Sequence, residues 1–255
     1  MKFNKLGFIG LMFAAFVVSS SSVYGAELNT YDRTAREIQA KTDAEFDAYI
    51  AEYVHNKEEK GISHDQIESD LAKVGVDLSF TDTDNAIQPL TISLPSDSKV
   101  SIYTTKRIGD SYYRIIAQVN WVYTPISTGS LDLLSVEWDY NSADFYNYTT
   151  DSNFSTLMDI SQKSKGIVLF NVEDLRMYSG DYTYAGVYVT KKTGATQVEY
   201  NTKFVHTYDD KGITWSVGGN VGYNKDGPSG GMTFTITPTS ATKSWTLSDW
   251  NLTSF

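Results

Sequence analysis

In the segment Val136-Glu137-Trp138-Asp139-Tyr140 two carboxylates stand two residues apart, with aromatic rings between and after them. Side chains alternate between the faces of a strand, so Glu137 and Asp139 would share one face, their Cα atoms about 7 Å apart. Paired carboxylates beside aromatic rings are what glycoside hydrolysis uses, one as acid and the other as nucleophile or base. Sandwich glycosidases carry such a strand in the form E-x-D-x-x-E, but here Asn141 and Ser142 follow and no Glu completes the pattern. The competing reading is a solvent-facing acidic pair on a half-exposed strand, with Trp138 and Tyr140 packed inward. The incomplete motif favours that second reading.

Other catalytic chemistries find less support. The chain has no Cys, which removes thiol nucleophiles, and only three His, at 55, 64 and 206. No Ser occupies a G-x-S-x-G elbow, and Gly227-Pro-Ser-Gly-Gly231 lacks the spacing. His55 and His64 lie on or beside helical segments and read as surface polar residues. His206 shares a strand face with Phe204 and reads as sheet packing or an exposed edge. No two His have a zinc spacing. Asp82-Thr-Asp84-Asn85 opens like an oxygen-ligand loop but lacks the turn glycine and the distal Glu, and Asn224 with Asp226 reads as an Asx-rich turn. Neither a metal nor another cofactor is expected.

Binding chemistry is better represented. Tyr outnumbers Phe by 18 to 12 and is concentrated in the strand-forming region. Tyr182, Tyr184 and Tyr188 align on one strand face, with Val187 and Val189 on the other. A Tyr-rich face suits a half-buried surface with a wet edge, so with Trp138 and Trp215 these rings are the expected contacts for a glycan or a surface protein. The plain alternative is that Tyr has high strand propensity and merely covers sheet faces. A third reading attaches to residues 213–237. Ile213, Trp215, Val217, Val221 and Tyr223 alternate with small polar residues, and after a Gly-rich loop Met232, Phe234 and Ile236 alternate with Thr. A membrane-active toxin or antimicrobial would insert such a hairpin, although every half-buried antiparallel strand alternates in the same way.

These groups sit on a chain that reads as exported. Lys2 and Lys5, the uncharged apolar run Leu6 to Val18 and the small residues before Ala26 have the order of a signal peptide cleaved after Gly25. The apolar run is short for a bilayer-spanning helix. About 230 residues remain, ample for a core that needs no disulfide. The net charge of −10 argues against nucleic acid, whose affinity rests on Lys and Arg neutralising phosphates, and against adsorption to anionic lipid. An acidic, Cys-free exported chain fits a bacterial extracellular or cell-envelope protein. No motif in it marks a known family.

The positioning elements divide in two. Residues 26–88 read as a helical hairpin with a linker. Thr42 and Glu45 make a capping box, followed by an apolar stripe of Phe46, Tyr49, Ile50, Tyr53 and Val54. Ser63 and Gln66 suggest a second box before Ile67, Leu71 and Val74. Too small to be stable alone, the hairpin should dock on the sheet. Residues 89–255 switch to period two, with Tyr113, Ile115, Ala117, Val119, Trp121 and Tyr123 on one face and Arg114, Gln118 and Asn120 on the other. Strands are also expected at 100–108, 131–140, 166–172, 182–191, 197–207, 213–223, 232–238 and 243–250. Residues 141–165 read as a long loop or a short helix. The expected fold is α+β, a helical hairpin followed by an antiparallel sandwich of about eight to ten strands.

Overall fold

The computed structural model describes residues 31–80, 98–124, 131–207, 213–216, 235–238 and 244–255, with the backbone alone for 213–216 and 235–238. The signal segment 1–25, the Asp82 and Asn224 turns and the tip of the 213–237 hairpin lie outside these residues.

Helix α1 (31–39) precedes α2 (Asp43–Glu58), which starts where the sequence places it. Thr42 Oγ1 accepts from Glu45 N at 3.3 Å, and Glu45 Oε2 accepts from Thr42 N at 2.8 Å. Two orphan donors are thereby satisfied. Helix α3 (His64–Ala72) has half of its expected box: Ser63 Oγ accepts from Gln66 N at 3.4 Å, while the Gln66 side chain bonds Asp70 instead.

Twelve strands are described, and ten of them form two five-stranded antiparallel sheets. In chain order they are β1 (Val76–Ser79), β2 (Ser98–Arg107), β3 (Tyr113–Trp121), β4 (Asp132–Trp138), β5 (Ala143–Thr150), β6 (Ser155–Asp159), β7 (Ile167–Val172), β8 (Tyr182–Lys191) and β9 (Gln197–Thr207). Then come the short β10 (Ile213–Ser216) and β11 (Thr235–Pro238), and finally β12 (Ser244–Ser254). The first sheet runs β1-β2-β3-β8-β5 and the second β12-β9-β4-β7-β6, while β10 and β11 among the described residues pair with each other. The fold is a sandwich-like, mainly β architecture with an N-terminal helical part, as its periodicities imply. Two details differ from the sequence reading. Val76–Ser79 lies within the stretch read as hairpin and linker, yet it is an edge strand paired with β2. Residues 141–165 contain β5 and β6. Strand β5 escapes the period-two pattern because it is an edge strand with a register shift between Phe145 and Asn147, so its alternation is broken.

Two cores result. Ile115, Ala117, Val119 and Trp121 face Leu134, Val136, Trp138 and Phe170 between the sheets. The opposite face of the first sheet carries Tyr103, Ile116 and Tyr184 against Phe46, Ile50, Val54, Ile67 and Leu71 of the helices. The helices therefore dock on the sheet, and the polar residues Arg114, Gln118 and Asn120 are buried beneath them.

The two ends of the sandwich are unlike. At one end the strands are joined by the turns 108–112, 139–142, 160–166 and 192–196. At the other lie the longer connection 173–181, the turn 151–154, and the described residues that follow β3 and precede β4, 122–124 and 131.

Candidate functional site

At the long-connection end, Asp132, His206 and Asp174 converge. Asp132 opens β4 with the same parity as Leu134, Val136 and Trp138, His206 shares the parity of Phe204 on β9, and Asp174 shares that of Val172 just past β7. These strands are neighbours, with Asp132 paired to Val172 and Leu133 to Val205, so the register brings the three groups together inside the sandwich. All three are buried. His206 Nδ1 lies 2.8 Å from Asp132 Oδ2 and 3.5 Å from Asp174 Oδ2. Asp132 Oδ1 accepts from Thr207 N at 2.9 Å. Among the described residues neither oxygen of Asp174 accepts a hydrogen bond from another residue, although both are buried.

The walls of this pocket of charge are aromatic. The Trp121 ring stands edge-on to His206 at 5.6 Å, and the Trp245 ring tilts against it at 5.0 Å. Burial raises both carboxyl pKa values. For Asp132, the His206 and Thr207 contacts oppose that rise. Asp174 is pushed up to about 7, by burial first and then by the Asp132 charge, with His206 pulling the other way. One imidazole and two carboxylates can share protons or surround a divalent cation.

Above this cluster the connections present an apolar and aromatic surface. Met177 is buried in the core between the sheets and anchors 173–181 from below. Gly180 N donates to Trp121 O at 2.7 Å, and Trp121 N donates to Asp181 O at 2.9 Å. Ser179 Oγ donates to Val122 O at 2.7 Å, and Ser179 N donates to Thr124 Oγ1 at 3.1 Å. So fastened, the two connections leave Tyr178 66%, Tyr123 59%, Leu175 57% and Leu131 47% exposed. Four large apolar side chains exposed on these connections make a candidate contact surface.

The residues singled out from sequence lie elsewhere. Glu137 and Asp139 do not form a pair open to a substrate. Strand β4 stops at Trp138, and the Asp139 carboxylate holds the following turn through Asn141 N at 2.9 Å and Ser142 Oγ at 2.6 Å. Glu137 is buried on the other face of the second sheet from the core. Ser135 Oγ donates to it at 2.8 Å, Lys203 Nζ is 3.5 Å away, and Asn201, with its amide nitrogen toward the carboxylate, donates at 2.8 Å. Burial raises its pKa to about 7 against the pull of Lys203 and these donors.

The tyrosine platform is also internal. Tyr184 and Tyr188 are buried beneath the helices, and Tyr188 donates a short hydrogen bond to Asp47 of α2. Tyr182 is half-buried, its ring stacked on His55 at 4.4 Å. Trp138 is buried between the sheets, where its Nε1 donates to Ala143 O at 3.1 Å. The helical layer takes up the face that the alternation made available for a ligand. Trp215 pairs with Ile236 in the β10–β11 register. His55 and His64 are not free surface residues: His55 Nδ1 is 2.9 Å from Asn120 Oδ1, and His64 stacks on Phe80 at 3.9 Å.

No family model matches the sequence, and no curated protein matches it as a relative. Among solved structures, a chain of a type I cohesin–dockerin complex from Clostridium thermocellum is 15% identical over 36% of this chain and 68% of its own, with a TM-score of 0.27. The collagen-binding domain of a Staphylococcus aureus adhesin is 10% identical over 58% of this chain and 100% of its own, at 0.28. Clostridium perfringens delta-toxin is 7% identical over 71% and 92%, at 0.30. Likenesses this slight say nothing of what this chain binds.

Proposed function

We propose that the chain is an exported, non-catalytic binding protein that uses the long-connection end of its sandwich to hold a cell-surface glycan or protein. The observation that carries this reading is the set Tyr123, Tyr178, Leu131 and Leu175, exposed on connections tied to one another by hydrogen bonds. Tyr on a preorganised loop gives a large contact area at little entropic cost, and the Ser, Thr and Gly around it supply adaptable hydrogen bonding. Export is supported by the charge and apolarity of residues 1–25. Among the described residues no helix is long and apolar enough to cross a membrane.

The test is cosedimentation of the mature protein with insoluble cell-wall polysaccharide and peptidoglycan, and with protease-treated and untreated cell walls. Saturable binding is expected. Survival after protease treatment identifies a glycan, and loss identifies a surface protein. Absence of saturable binding to every wall preparation would remove the reading.

A second reading has one observation in its favour: among the described residues, β10 and β11 pair in a two-stranded sheet apart from both five-stranded sheets. Such a hairpin, with the alternation of 213–237, is what a membrane-active protein would insert. Leakage of dye from lipid vesicles, with oligomers on the membrane, would support it. Intact vesicles at high protein concentration would exclude it.

A further inference from the structure

We propose that Asp132, Asp174 and His206 form a binding site for one divalent transition-metal ion of the Zn2+ class. The set is of the right kind: one imidazole nitrogen and carboxylate oxygens suit a borderline cation. Its three ligating atoms lie within 4.8 Å of one another, and all three residues are buried. The cluster brings two carboxylates against one imidazole in the interior. Asp174, with only 1% of its surface exposed, sets Oδ2 3.5 Å from His206 Nδ1, and among the described residues neither of its oxygens accepts a hydrogen bond from another residue. A buried carboxylate without donors is costly, and a cation beside it removes that cost.

Supporting groups are already placed. Asp132 Oδ1 is fixed by the Thr207 N–H, which leaves Oδ2 directed at His206. Trp121 and Trp245 pack their rings against the imidazole and orient it, as the apolar surroundings of structural metals do. Tetrahedral coordination with bonds of about 2.0–2.2 Å holds ligand atoms about 3.4 Å apart. The His206–Asp174 separation of 3.5 Å meets this, and the His206–Asp132 separation of 2.8 Å would have to lengthen by about half an ångström. Binding replaces the proton that Nδ1 and Asp132 share and releases it to solvent. The ion would tie β4, β9 and the 173–181 connection together beneath the exposed tyrosines. This inference stands on the buried cluster alone and does not depend on the proposed ligand of the surface above.

The experiment is equilibrium dialysis of chelator-treated full-length mature protein against Zn2+, for wild type and Asp174→Asn, followed by titration with Co2+. Wild type should take one Zn2+ per chain with a raised Tm, and one equivalent of Co2+ should give visible absorption bands and quench tryptophan fluorescence. Asp174→Asn keeps the side-chain volume while removing a buried carboxylate that no other described residue hydrogen-bonds, and should fold, yet bind at least tenfold more weakly. Equal binding by the variant, or no stoichiometric binding by wild type, would overturn the site. Should the variant not fold, the wild-type Co2+ titration decides, and absence of bands at one equivalent overturns the proposal.

Discussion

Arg114, fully buried on β3, sets its Nε 2.8 Å from the carboxylate of Asp47 on α2. The same guanidinium reaches Asp110 at 2.6 Å and Asp43 at 2.7 Å, so one cation holds the start of α2, a turn and the sheet together. Arg107 joins it, bonding Asp43 and the Lys41 carbonyl at 2.6 Å each. Beneath the helices, Phe46 lies against both guanidinium groups. Apolar burial drives the docking of helices on sheet, and this network fixes where they dock.

Arg114→Met should therefore destabilise the protein by about 3–5 kcal/mol, because it leaves Asp47 buried without its cation. Asp43, which is 42% exposed, should be more tolerant, and Asp43→Asn should cost about 1 kcal/mol. Urea unfolding followed by tryptophan fluorescence measures both. Equal costs for the two variants would show that the network does not centre on Arg114.

Tyr188→Phe removes the hydroxyl that donates to Asp47 and keeps the ring in its stack with Tyr112. A loss of about 1–3 kcal/mol in unfolding free energy is expected, the usual worth of a hydrogen bond to a charged group. Ligand binding should be unchanged. Weaker binding with unaltered stability would return Tyr188 to the role its strand position first suggested.

Glu137 makes stability depend on pH. Its pKa in the folded chain is about 7, above the ordinary 4.5, so the folded state holds a proton that the unfolded chain has lost. This group's contribution is fully present below about pH 4.5 and is lost as pH rises through 7, with a span of up to about 3 kcal/mol. Glu137→Gln should flatten the stability profile between pH 5 and 8 and raise stability above pH 7. An unchanged profile in that window would show that Glu137 does not titrate there.

The periodicities made most of the architecture readable. Tyr113 to Trp121 alternate because one face meets the second sheet, and Phe46 to Val54 recur at helical spacing because one stripe meets the first. Edge strand β5 was hidden because Tyr146 and Tyr148 are exposed and the register slips at Phe145, so no buried face imposes alternation. The burial of Tyr184 and Tyr188 was hidden for a different reason. Alternation reports that a face is apolar, not whether a ligand or a helix of the same chain covers it.

The buried cluster left a fainter trace. Asp132, Asp174 and His206 lie far apart in sequence, and strand register alone unites them, so no motif spacing exists to find. Parity was the available signal: Asp132 falls on the apolar face of Leu134, Val136 and Trp138, and His206 on that of Phe204. A charged residue in a core position is the feature worth following. Tyr123 continues the alternation of Trp121, but β3 ends at Trp121 and the ring stands exposed beyond it, while Tyr178 lies in a loop and carries no period.

The most direct test of the binding surface compares wild type with the double variant Tyr123→Ser/Tyr178→Ser in titrations against the cell-wall fraction that wild type binds. Both rings are largely exposed, so the variant should unfold at the wild-type urea midpoint within about 0.5 kcal/mol. Its affinity should fall at least tenfold, because a few aromatic anchors carry most of the energy of such a surface. Full affinity in a folded double variant would contradict the account and place the contact elsewhere on the molecule.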